Sequence, residues 1–252
     1  MKPHTIVAFA LAAFAIACSS SPTGDAADAA PSQDGATVDA APVDGAAPLD
    51  AGPSADGGTA DAGPDVRILT DRKIAGFPHA FDIYTPRAPK RVVVFLHGGG
   101  GSKEGGGDQL GLRIETGTAP NTTVTYDTAW LGAHDVAFVF PQGQAKGGTR
   151  GFTWSNYVMS SDVDDVAFLG ALSSAIRGGT LDGSLPAIAR IAVSGHSNGG
   201  MMTNRLWCEA PQAFDAFIAF AGPASVHLGV SGDHACAPTS QKPYLGYIGG
   251  KD

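Results

Sequence analysis

Five consecutive apolar residues, Val92-Val93-Val94-Phe95-Leu96, constrain this chain more than any other feature. A strand with one face in water alternates apolar and polar residues, so an unbroken run of this kind calls for cover on both faces. Similar runs follow at Val136 to Phe140, Ile191 to Val193, Phe217 to Phe220 and Tyr244 to Ile248. Helical patterns lie between several of them. Val166, Leu169, Leu172 and Ile176 share one helical face behind Asp162, Asp164 and Asp165, residues suited to cap an N-terminus. Met202 and Leu206 are four apart in a segment stopped by Pro211. Strands alternating with helices predict an α/β fold, a mostly parallel sheet flanked by helices with right-handed crossovers. The stretch Arg67 to Thr70, a turn at Gly76 and the run Phe81 to Tyr84 before Pro86 read as an antiparallel pair at one sheet edge.

This reading covers residues 66–252. The chain has 252 residues and a formal charge of −8, from 16 Lys and Arg against 24 Asp and Glu. That charge is local: residues 19–65 hold nine Asp and no Lys, Arg or Glu, whereas 66–252 hold 15 basic and 15 acidic residues. With no basic surplus, nucleic acid and a polybasic membrane patch are excluded as partners. Residues 19–65 are almost wholly Ala, Asp, Gly, Pro, Ser and Thr, with no aromatic. Such a segment buries too little apolar surface to offset its ordering entropy, and 18–65 is expected to be a disordered linker. Before it, a positively charged start and the twelve-residue apolar run Ile6 to Ala17 suit a secretory signal peptide over 1–17, too short to span a bilayer. The ending Ala15-Ile16-Ala17-Cys18 reads either as an ordinary cleavage site or as a bacterial lipoprotein signal with Cys18 lipidated. Ser19 then resembles the sorting residue of outer-membrane lipoproteins. The expected location is secreted or lipid-anchored at the outer membrane, with membrane contact only through that anchor. Lipidation of Cys18 leaves Cys208 and Cys236, which in an oxidising compartment form a bridge or remain two buried thiols.

Two glycine-rich segments carry chemistry. Ile191-Ala192-Val193-Ser194-Gly195-His196-Ser197-Asn198-Gly199-Gly200 runs from a strand into a helix and contains Gly-x-Ser-x-Gly. This pattern places Ser197 on a strained turn that lifts its hydroxyl above the sheet, and its glycines let strand and helix pack closely. The second segment, His97-Gly98-Gly99-Gly100-Gly101-Ser102, follows the strongest strand. Bare backbone N–H groups there suit an oxyanion hole, with Gly99 or Gly100 supplementing the N–H of Asn198. A phosphate loop does not fit, because Lys103 is not followed by Ser or Thr. His97 reads as a residue pinning the loop, with a catalytic base as the alternative.

The chain resembles the α/β-hydrolase esterases grouped as polyhydroxybutyrate depolymerase and feruloyl-esterase-like proteins. The matching residues are Phe95 to Gly99, Phe140-Pro141-Gln142-Gly143, Trp154, Asp164 to Leu169, Gly195 to Met202, Arg205 to Glu209 and Phe220-Ala221-Gly222. The resemblance implies an acyl-enzyme on Ser197, a disulfide between Cys208 and Cys236, and Asp252 as the acid that orients a histidine. Trp154 then either walls the substrate site or packs in the core. No histidine follows Asp252 in this sequence. The family's base, last strand and last helix are accordingly expected beyond it, and the chain reads as truncated. His227 or His234 is the alternative base, and a catalytically inactive surface module the third reading.

Two function classes follow. The first is a serine esterase acting on polymeric or aromatic carboxylic esters such as polyhydroxyalkanoate or feruloyl esters. The second is a non-catalytic surface binding protein, or an inactive fragment of such an esterase. No cofactor and no metal site are expected, since the histidines lack ligand spacing. The oligomeric state is not encoded in any of these motifs.

Overall fold

A computed structural model describes residues 65–146, 151–181, 183–229 and 231–249. The signal segment, Cys18, the linker and Asp252 lie outside the described residues. The described chain builds a seven-stranded sheet in the order β1-β2-β6-β3-β7-β8-β9. The strands are β1 (Val66–Lys73), β2 (Ala80–Pro86), β3 (Arg91–Leu96), β6 (Val136–Pro141), β7 (Arg190–His196), β8 (Ala216–Phe220) and β9 (Tyr244–Tyr247). β1 and β2 are antiparallel, as is β2 with β6; all later pairs are parallel. The helices are α1 (Lys103–Leu110), α2 (Thr128–Ala133), α3 (Asp165–Gly178) and α4 (Asn198–Glu209). This mostly parallel sheet with flanking helices is the α/β architecture expected from the apolar runs.

β3 shows why its run is unbroken. Val92, Val94 and Leu96 pack with Phe168, Leu169 and Leu172 of α3 and Met202 and Leu206 of α4. Val93 and Phe95 enter a second cluster with Leu110, Leu112 and Leu131 on the other face. Each buried side chain of this size contributes roughly 1.5–3 kcal/mol, so both faces of the sheet are strongly held. α3 begins as expected: Asp164 accepts from the Ala167 N–H at 3.0 Å, and Gly179 closes the helix in the left-handed conformation.

Three features depart from the sequence pattern. α1 carries Gly105, Gly106 and Gly107, poor helix formers. Their function is proximity: a Cβ on Gly106 would lie 3.0 Å from the Phe140 ring, and one on Gly107 would lie 3.0 Å from the Tyr84 hydroxyl. A separate hairpin pairs β4 (Arg113–Thr118) with β5 (Asn121–Tyr126). It is largely exposed and rich in Thr, so no apolar alternation announced it. β9, read as another buried run, is exposed along its length because β8 is its one sheet neighbour among the described residues.

Cys208, in the last turn of α4, bonds to Cys236 across 28 residues. The bridge ties α4 to the segment leading into β9. Closing a loop of that size stabilises by about 3–4 kcal/mol on the chain-entropy account. Replacing both cysteines by serine should therefore lower the melting temperature by roughly 10 °C, read by circular dichroism.

Candidate active site

Ser197 sits where β7 gives way to α4, with φ +54° and ψ −118°. A non-glycine residue at positive φ is strained, and such strain persists only where surrounding contacts hold it. Here the Ser197 N–H donates to the Phe220 carbonyl at 2.9 Å, and its own carbonyl accepts from the Met201 N–H at 2.9 Å. Ser197 occupies the N-cap, yet its hydroxyl makes no capping bond. A serine at the N-cap ordinarily spends its oxygen on the helix; this one does not. The glycines on either side are steric requirements. A Cβ on Gly195 would lie 2.3 Å from the Gly199 carbonyl, and one on Gly199 would lie 2.2 Å from the Leu96 carbonyl oxygen.

The loop after β3 comes up against this turn. A Cβ on Gly98 would stand 3.5 Å from Cβ of Ser197, and one on Gly99 would stand 3.5 Å from Cβ of Asn198. Hydrogen bonding separates the two expected oxyanion donors. The Gly100 N–H donates to the Phe152 carbonyl at 2.8 Å and that of Gly101 to the Gly98 carbonyl at 3.0 Å. Among the described residues, the Gly99 N–H has no acceptor. Beside it is Asn198, the first residue of α4, where helix N–H groups lack intrahelical partners. Gly99 and Asn198 are thus brought together beside Ser197, and Gly100 is engaged elsewhere.

His97 pins the loop. Its Nδ1 lies 2.7 Å from the Gly98 carbonyl, and Nε2 accepts from the Gly143 N–H at 2.9 Å with the Gln142 amide at 3.0 Å. Nε2 as acceptor and Nδ1–H as donor is a neutral tautomer. Burial pushes the His97 pKa below its ordinary value, against the smaller opposing effect of the Gly98 hydrogen bond. Both ring nitrogens are occupied, so this histidine supports the site without acting as base.

Trp154 is fully buried, and its indole N–H donates to the His97 carbonyl at 3.0 Å. It packs under the loop, presenting no surface to a substrate in this structure. Beside it is a polar network that sequence reasoning missed. The Asn198 side-chain oxygen accepts from the Trp154 N–H at 2.8 Å and the Thr153 hydroxyl at 3.1 Å, while Asn156 donates to the Asn198 carbonyl at 3.0 Å. Asp165, read only as a possible cap, turns inward: one oxygen meets His79 at 2.8 Å and the other accepts from Ser155 and Ser161, each at 2.7 Å. The residues between Thr153 and Ser161 are thereby locked against the start of α4. A run of Asp before a helix signals a cap, and nothing in the sequence tells which Asp caps and which is buried.

The two alternative bases lie together: the His234 N–H donates to the His227 carbonyl at 3.0 Å. His227 pairs with Asp233 at 2.7 Å, and His234 stacks on Tyr157 with ring centroids 3.8 Å apart. Lys103 is held among Asp82 at 2.8 Å, Glu104 at 2.6 Å and Asp71 at 3.1 Å, a charge cluster consistent with structural use rather than phosphate binding. Among the described residues, no cluster of His, Cys, Asp or Glu is placed to hold a metal, and no helix is long and apolar enough to cross a membrane. A hollow of about 570 Å³ lies between the Pro86–Ala88 turn and α2. It opens at the end of the sheet where β6 begins, away from the strand ends that carry Ser197 and Gly99.

None of the known family models matches the sequence, and no curated protein does. Among solved structures, the chain is similar to a dienelactone hydrolase from Anabaena variabilis, at 15% identity and a TM-score of 0.45, over 75% of this chain and 76% of that one. It is also similar to an acetyl xylan esterase from Aspergillus awamori, at 16% identity and a TM-score of 0.41, over 70% of this chain and 58% of that one. A third likeness is to esterase PE8, at 23% identity and a TM-score of 0.36, over 63% of this chain and 68% of that one.

The state of His97 has a consequence for stability. A histidine whose folded pKa is depressed is protonated more readily in the unfolded chain, so acid favours unfolding. Stability should fall as pH drops below about 6.5, with at most about 1.4 kcal/mol per pH unit from this residue. Urea unfolding measured from about pH 7 to about pH 5 should show a shallower slope in His97→Gln than in the parent.

Proposed function

We propose that this chain is a serine-dependent carboxylic ester hydrolase, exported and held at the outer membrane through Cys18 or freely secreted. The observation that carries the reading is the strained Ser197 at the strand-to-helix turn, its hydroxyl free of capping, with the Gly98–Gly99 loop packed against Ser197 and Asn198. In the proposed reaction, the Ser197 oxygen attacks the ester carbonyl as a histidine takes its proton. The carbonyl oxygen becomes an oxyanion held by Gly99 and Asn198, and the alcohol leaves with that proton. Water then attacks the acyl-serine by the same route and releases the acid. Asp252 is proposed to orient the histidine, as the resemblance to the polyhydroxybutyrate depolymerase and feruloyl-esterase-like proteins implies. Polymeric and aromatic esters are the proposed substrates.

A second reading, a non-catalytic surface binding protein, draws on the commitments of His97, His227 and His234 described above. One experiment divides the two. Ser197→Ala should lower p-nitrophenyl acetate turnover by the full chain at least about a thousandfold and abolish labelling by a fluorophosphonate. Turnover and labelling unchanged by the substitution would reject the esterase reading, and a parent protein that neither turns over nor labels would favour the binding one.

A further inference from the structure

A hollow of about 270 Å³ lies beside the candidate oxyanion loop, lined in part by Gly100, Phe152, Val158 and Met159. Three of its lining residues are large, apolar and exposed, Phe152 at 40%, Val158 at 56% and Met159 at 40%, and Lys146, Thr153 and Ser160 give it a polar edge. Single exposed apolar residues are ordinary, whereas three lining one hollow next to a nucleophile suggest a binding surface.

The hollow is built as part of the site. The Met159 thioether packs on the loop at Gly99, where an added Cβ would meet the Met159 methyl at 3.1 Å and its sulfur at 3.3 Å. Asn156 sets the position of Met159. Its side-chain oxygen accepts from the Val158 N–H at 3.1 Å and the Met159 N–H at 3.0 Å, and its own N–H donates to the Met159 carbonyl at 3.0 Å. The amide nitrogen of the same side chain donates to the carbonyl of Asn198, the residue after Ser197. On the opposite wall, the Phe152 carbonyl accepts from the Gly100 N–H, and Thr153 donates to the Asn198 side chain. Both walls are therefore referenced to the two residues that flank the reacting position.

Resting on the esterase reading above, we propose that Met159, with Phe152 and Val158, is the specificity wall for one apolar substituent of the ester, and that it sets an upper size limit. The volume corresponds to about nine water-sized groups, below the roughly 300 Å³ at which drug-sized pockets begin. A single short alkyl or acyl chain fits; a long chain fills the hollow and runs out into solvent. Methionine suits this role because its unbranched, polarisable side chain adapts to varied apolar groups.

The test uses the full chain labelled at methionine methyl groups with carbon-13, titrated with methyl ketones from butan-2-one to dodecan-2-one. These carry the ester's carbonyl without a leaving group, so binding is read whether or not turnover occurs. The Met159 methyl signal, assigned with Met159→Leu, should shift on binding, and that of Met202, fully buried on the inner face of α4, should not. Affinity should rise about fourfold per methylene and level off near nine carbons. Met159→Ala should move that plateau at least two carbons longer, with Met159→Leu close to the parent. A Met159 signal that stays still, or a plateau unmoved by Met159→Ala, overturns the proposal. Ser197→Ala assayed in parallel on p-nitrophenyl acetate judges the esterase reading separately, because the ketone series does not depend on it.

Discussion

The first turn of α4 lies against the end of β3 so closely that a Cβ on Gly199 would sit 2.2 Å from the Leu96 carbonyl oxygen. The rest of the site depends on that approach. It forces the chain to turn at Ser197 within one residue, which costs a strained backbone, of order 1–3 kcal/mol for such a conformation. It also brings the orphan N–H groups of a helix start next to the loop that leaves β3. A strand buried on both faces supplies the rigidity needed to sustain the strain, because neither β3 nor α4 has room to relax.

Around this contact the protein uses buried polar groups where an apolar core would otherwise continue. Asn198, Asn156, Asp165, His79 and His97 are all almost fully buried, and each meets hydrogen-bonding partners in the loops beside Ser197 or at the start of α3. Leaving any of these unpaired costs about 1–3 kcal/mol, so the network tolerates few alternative loop arrangements. Its effect is to hold the Gly98–Gly99 loop and the turn containing Met159 in fixed register with Ser197. In the proposed reaction, donors preorganised in this way would stabilise developing charge without reorganising when the charge appears.

Legibility in the sequence followed the length of the pattern. The central strands and α3 were readable because apolar periodicity over five to fourteen residues has few structural solutions. The Gly-x-Ser-x-Gly turn was readable because strain and close packing leave little choice of residue. The β4–β5 hairpin was not, since a Thr-rich ribbon exposed on both faces leaves no apolar signature. Neither was the helical state of Gly105 to Gly107, where intrinsic propensity lost to packing against Phe140 and Tyr84. Trp154 stood between two roles on sequence, and burial under the His97 loop decided its place.

By itself, the amino-acid sequence determined the α/β class, the edge pair, the strand-to-helix turn at Ser197 and the glycine-rich loop after β3. All of these are local patterns with a physical period or a steric demand. Tertiary structure alone decided which donor faces the site, since Gly99 and Gly100 are alike in sequence and differ only because Phe152 folds back onto one of them. It also decided that Asp165 points inward while Asp164 caps, and that Met159 borders the site from a loop some forty residues before Ser197. Such choices are made by contacts between segments distant along the chain, and no local pattern carries them.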